Sequence, residues 1–197
     1  MAATYRAPRI EASAYVGKTY RGPVELLDLY KTTVGLAGLP PPQAGVEGTS
    51  LVPVFSAPSV AIKDYAISQT TRCHVSSQGI SGNQHIEPAT AEKYYAACVR
   101  TKREEFGFMG YSMRTADWRY TAWFRWLNST ASASGRGPGP DLSAPPTGEE
   151  LYDHRNDTAH YDVDNFEYVN FAATPAFRAT RDQLLGRLTT VVASWQK

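Results

Sequence analysis

GYSMRTADWRYTAWFRW, residues 110–126, alternates apolar and polar residues on both sides of a short polar break. Tyr111, Met113 and Thr115 share one face of a first strand, and Ser112 and Arg114 the other. Ala116-Asp117 makes a tight reversal. Trp118, Tyr120, Ala122, Phe124 and Trp126 then line one face of a second strand. The stretch holds three of the chain's four tryptophans and three arginines. This pattern predicts a β-hairpin packed on a core through its aromatic side, with Arg114 and Arg119 bonding to carboxylates or carbonyls within the sheet.

Outward from the hairpin, residues 126–148 read as a low-complexity loop, and EELYDHRND resumes as a short strand and turn. In TPAFRATRDQLLGRLTTVVASWQK, Thr174 stands as N-cap and Pro175 at the first helical position. Phe177, Leu184, Leu188, Val191 and Trp195 form its apolar stripe. Toward the N-terminus, PVELLDLYKTTVGLAGLPPP predicts a helix with Leu26, Leu29, Tyr30, Thr33 and Leu36 or Ala37 on one face, Gly38 as its stop, and no continuation past Pro40. In EGTSLVPVF, Thr49 or Ser50 caps a single turn before Pro53. DYAISQTTR reads as a strand running out into a loop, and ATAEKYYAACVRTKREEF as a helix with Thr90 as cap and Tyr94, Ala97 and Cys98 on one side. The expected fold class is α+β: a small antiparallel sheet with its hairpin against a C-terminal helix, preceded by another helix and an extended segment.

The chain has 197 residues, 42% hydrophobic and 12% aromatic, which fits a globular protein. A net charge of +1 gives no electrostatic reason to expect nucleic acid or an acidic membrane as partner. No stretch approaches 18 apolar residues, so no membrane span is expected. Residues 1–22 lack an apolar core and read as an irregular segment rather than a signal peptide. Asn128-Ser129-Thr130 and Asn156-Asp157-Thr158 fit the glycosylation triplet and only permit a secretory route.

Candidate chemistry is sparse. Two cysteines, Cys73 and Cys98, form at most one disulfide and are too few for a zinc site alone. Cys73-His74 resembles a nucleophile and base, but neighbours in an extended chain point to opposite faces. In YDHRNDTAHYDVDNFE, Asp162, Asp164 and Glu167 lack the glycine and spacing of a calcium loop. His154 and His160 are six apart and cannot share one helix face, so the segment reads as a solvated turn. The glycines of SGRGPGP precede no helix and present no phosphate loop. Ser68, Gln69 and Arg72 sit where a strand ends and a loop opens. Gln69 offers donor and acceptor, and Arg72 a fork for an anion.

Five blocks, in order, carry a resemblance: VELLDLYKTTVGLAGLPPP, EGTSLVPVF, YAISQTTR, GYSMRTADWRYTAW and ELYDHRND with NFA. Together they resemble the C-terminal part of a type I sulfatase, nearest to the iduronate-2-sulfatase branch. Ser68-Gln69-x-x-Arg72 is similar to that branch's SQYPR stretch at the rim of the substrate pocket. The resemblance therefore implies Gln69 and Arg72 as substrate-binding residues.

The departures are equally specific. These sulfatases use calcium and a formylglycine made from C-x-P-S-R. Neither Cys73-His74-Val75-Ser76-Ser77 nor Cys98-Val99-Arg100-Thr101-Lys102 fits that motif. The Asp-Asp pair, the Asp-His-Gly or Asp-Asn stretch, and the sulfate-holding Lys and His find no match either. The resemblance thus implies no catalytic residue, metal or cofactor site here, and a chain inactive alone. Its implied partner is the missing catalytic half of an alkaline-phosphatase-like α/β domain. Residues 23–72 are expected at the edge of that domain and 73–197 as the C-terminal subdomain. A lysosomal or secreted parent acting on a sulfated sugar, such as a glycosaminoglycan, is implied. Two alternatives stay open: a non-catalytic module binding sulfated carbohydrate, or a fragment of a related phosphate-ester hydrolase.

Overall fold

Three residues turn the central hairpin. Thr115 N–H donates to the Trp118 carbonyl at 2.8 Å, and the Thr115 hydroxyl oxygen accepts from Trp118 N–H at 3.0 Å. A threonine here therefore closes the reversal with backbone and side chain together. The flanking strands are β2, Phe106–Arg114, and β3, Trp118–Leu127; β1, Ala66–Cys73, precedes them. The two remaining strands are β4, Gly139–Pro140, and β5, Gly148–Asp153. The computed structural model describes residues 17, 19–57, 59–73, 99–128, 137–157 and 166–195. The helix proposed around Tyr94, Ala97 and Cys98 lies mostly outside them.

The chain divides into two compact units. One comprises residues 1–67, 114–118 and 153–167; the other comprises 68–113, 119–152 and 168–197.

The second unit is the expected α+β body. Strand order in its sheet is β1-β2-β3-β4, with β5 also paired to β3. Trp126 pairs antiparallel with Pro140 and Leu127 with Gly139. Part of the predicted low-complexity loop thus returns to the sheet, because proline at a short edge strand has no N–H to waste. Met109, Tyr111, Met113, Tyr120, Ala122, Phe124 and Trp126 are buried, as predicted for all but Met109, whereas Thr115 and Trp118, predicted on the same face, are only half-buried. Across that face lies the C-terminal helix, α3, Arg178–Ser194, with Leu184, Leu188 and Val192 buried. The third core position is Val192 rather than the expected Val191, since the stripe steps by four each time. Tyr111 and Trp195 meet at 6.2 Å between ring centroids. Burial pushes the Tyr111 hydroxyl up to about 12. Pro175 opens a 3-10 turn, Pro175–Phe177, before α3. Thr174 serves it by its carbonyl, which accepts Phe177 N–H at 3.0 Å, and not by its hydroxyl.

The first unit inverts a prediction. Helix α1 runs Asp28–Leu36 and stops at Gly38 (φ +65°), as expected. Its buried residues, however, are Asp28 and Thr32, one turn apart. Leu26 is 86% exposed, Leu29 54% and Tyr30 57%. The reason is hydrogen bonding. Asp28, fully buried, accepts from Lys63 Nζ at 2.8 Å and from the amides of Thr49 and Glu25, both at 2.8 Å. The Thr32 hydroxyl donates to the Asp28 carbonyl at 2.6 Å and accepts Leu51 N–H at 2.8 Å. Gly48 (φ +86°) lets this segment come close, because a Cβ there would sit 2.2 Å from the Leu27 carbonyl oxygen. Helix α2, Val52–Ser56, follows. Ser50 Oγ accepts Val52 N–H at 3.4 Å, and Pro53 lies inside the turn rather than after it.

Candidate functional site

Strand β1 extends to Cys73, so Gln69 and Arg72 lie within a strand and not in the loop predicted for them. The end was misplaced because polar Ser-Gln-Thr-Thr does not distinguish an exposed edge strand from a loop. Residues three apart on a strand face opposite ways, so β1 does not bring Gln69 and Arg72 to one ligand group. Both residues are exposed.

Arg72 is instead stacked. Its guanidinium carbon lies 4.5 Å from the centroid of Trp123. Trp123 occupies the face of β3 opposite the aromatic core. The indole lies over Gly110 of β2, where a Cβ would approach its ring to 2.7–2.9 Å. Gly148 of β5 flanks it on the other side, 3.6 Å from the ring as measured from an added Cβ. Trp123 Nε1 donates to Glu150 Oε1 at 3.1 Å, and the Tyr152 hydroxyl donates to Glu150 Oε2 at 3.3 Å. Beside them the Thr121 hydroxyl donates to Ser112 Oγ at 2.9 Å. The sequence reading passed over Trp123. Its signal is a tryptophan out of phase with the aromatic face, opposite a glycine inside a strand.

Arg114 serves the scaffold, as expected. It donates to the carbonyls of Thr115 and Ala116 and lies 3.5 Å from Asp157 Oδ2. Removing it strips three partners. Arg114→Ala is expected to cost about 1–3 kcal/mol, discounted for partial exposure. Arg72→Ala loses one stack, about 0.5–1 kcal/mol. Urea unfolding of both variants checks the ranking, and the opposite order would refute this division of roles.

His154 is no solvated turn: it is 3% exposed. Its Nδ1 lies 2.9 Å from Asp157 Oδ2 and its Nε2 3.3 Å from Glu167 Oε1, with Phe166 stacked at 5.8 Å. The hydrophobic partner Phe166, twelve residues on, gave no local signal. The two ring nitrogens face different carboxylates, so they share no point where an ion could sit. Among the described residues no group of three or more His, Cys, Asp or Glu is placed to hold a metal. His160, Asp162 and Asp164 lie outside the described residues, as do His74 and Cys98. Also among the described residues, no helix is long and apolar enough to cross a membrane.

What the described residues present is thus a propped cation on a polar sheet face, without an activated nucleophile beside it. No family model matches the chain, and no curated protein matches it. Solved structures do match. A 2-O GAG sulfatase aligns with a TM-score of 0.47 at 18% identity, over 85% of this chain and 24% of that one. A protein in complex with its substrate D-glucosamine-2-N,6-O-disulfate aligns with a TM-score of 0.46 at 14% identity, over 83% and 23%. A phosphonate monoester hydrolase of Agrobacterium radiobacter aligns with a TM-score of 0.45 at 17% identity, over 86% and 25%. The chain spans about a quarter of the length of these solved chains.

Proposed function

We propose that this chain is the C-terminal portion of a sulfatase whose parent hydrolyses sulfate esters of a sulfated sugar, and that it is inactive alone. One observation carries the reading. The five ordered sequence blocks coincide with α1 and its Gly38 stop, α2, β1, the β2–β3 hairpin, and β5 with its turn. The fourth block starts inside β2 and stops inside β3, and the fifth starts inside β5, so it is the order of the elements rather than their ends that agrees. Chance matches of short motifs have no reason to land on successive elements five times in order. Arg72 and Gln69 are the proposed sugar contacts, each from its own face of β1. The proposed partner is an α/β half supplying formylglycine and calcium.

Sulfate-ester cleavage needs an activated nucleophile and stabilisation of the departing charge. Purified chain with calcium and an aryl sulfate is therefore expected to release no sulfate above a blank. The family reading itself is tested on the genomic DNA 5′ of the Met1 codon. It is expected to encode C-x-P-S-R and an Asp-Asp pair, and an intergenic sequence there would overturn it.

A further inference from the structure

We infer that the outer face of the sheet in the second unit is a platform for a linear sulfated glycan, with Arg72 and Arg125 as sulfate contacts and Trp123 positioning Arg72. This rests on the sulfated-sugar reading above and assigns a surface to it. Strand alternation puts Arg119, Thr121, Trp123 and Arg125 of β3 on the face opposite the aromatic core. The Arg72 stack, the Thr121–Ser112 bond and the Trp123–Glu150 bond all lie on that same face. Among the described residues of this unit, that places Arg72, Arg119 and Arg125 on it. Glu150 lies on it as well, with both oxygens already accepting from Trp123 and Tyr152. Asp141, whose carboxyl is held below the usual range first by its hydrogen bond with Ser143, lies near enough to Arg125 for that charge to help.

Arg72 and Arg125 are exposed. Arg125 follows Trp123 by two residues, about 7 Å along the strand. One guanidinium fork over Trp123 and another on the residue two further along the same strand each suit a sulfate, which they bind in a planar, bidentate manner. The stack on Trp123 holds Arg72 in place and reduces the side-chain freedom lost on binding. A nucleic acid suits the face less well. Trp123 has Gly110 beneath its ring and Arg72 above, which leaves no aromatic plane for a base. A sulfated sugar needs no such plane, only cations and hydroxyls.

The test is calorimetric titration of the purified chain with a heparin octasaccharide, its fully desulfated form, and a single-stranded oligodeoxynucleotide of matching charge. The sulfated octasaccharide is expected to bind about tenfold tighter than either control. Arg72→Gln and Arg125→Gln are each expected to weaken it about fivefold. Gly110→Ala forces the indole aside and is expected to match Arg72→Gln, yet to add nothing to it in the double variant. That non-additivity marks positioning rather than general damage. If Gly110→Ala fails to fold, Trp123→Phe takes its place with the same expectation. Equal binding of a control, or full affinity in both arginine variants, overturns the platform. Failure here with C-x-P-S-R present upstream sinks the surface and spares the family. Binding retained with no such upstream sequence does the reverse.

Discussion

Asp28→Asn is expected to destabilise the first unit by about 3–5 kcal/mol, the scale for removing one partner of a buried ion pair. The carboxylate sits between Lys63 Nζ, 2.7 Å away, and two backbone amides, and has no exposed surface. An amide in its place cannot neutralise Lys63, which also contacts Glu25 at 2.7 Å. Burial alone would raise the Asp28 carboxyl, but the bonds from Lys63, Thr49 and Glu25 outweigh it and hold it below the usual range. Burial likewise opposes the Lys63 charge, and Asp28 and Glu25 outweigh it, so that group titrates above its usual range. The signs follow. The depressed carboxyl stabilises above its unfolded value near about 4 and loses that contribution as pH falls. The raised amine stabilises below about 10.4 and loses it as pH climbs further. Urea midpoints of wild type should therefore be flat across neutral pH and fall at both ends, and Asp28→Asn should flatten the acid limb. An unchanged midpoint in the variant would show that the pair contributes nothing net.

Phe124→Ala should cost about 3–5 kcal/mol in the second unit, the usual range for a buried aromatic truncated to alanine. Its ring is 1% exposed and lies 6.3 Å from that of Tyr111. Phe124→Leu preserves most of the volume and should cost less than about 1.5 kcal/mol. Unfolding followed by tryptophan fluorescence reads both. Similar losses for the two variants would mean that ring contacts, and not filled volume, dominate there.

The hairpin was legible because period-two patterning is unambiguous when one face is buried and five apolar residues keep phase from Trp118 to Trp126. The α3 stripe was legible in part: Leu184 and Leu188 are buried as patterned, but Val192 takes the place of Val191 and Trp195 at the end is 51% exposed. Helix α1 was legible as a helix and misread as to its face. Hydrophobicity points at Leu26, Leu29 and Tyr30, while burial follows the hydrogen bonds of Asp28 and Thr32, three of whose partners lie 19 to 35 residues away. No window of local sequence contains Lys63 or Thr49. β4 was invisible because Gly139-Pro140 carries turn chemistry and earns its place only by pairing with Trp126 and Leu127. Of the proposed contacts, residue type was readable and placement was not. Arg72 lands on Trp123, fifty-one positions further on, and that neighbour is set by sheet order.

The glycine beneath Trp123 also bears on how this chain can vary. Positions 110 and 123 share one volume, so part of the mutational effect at each depends on the other. A methyl at 110 clashes only while an indole lies above it, and a small residue at 123 leaves space over 110 that a larger residue there could partly fill. Single-site scans will score both positions as intolerant. A paired exchange, small for large across the strand, is open where neither single step is. That makes the two sites epistatic, and any lineage that moved between these states had to cross a less stable intermediate or change both within a short interval.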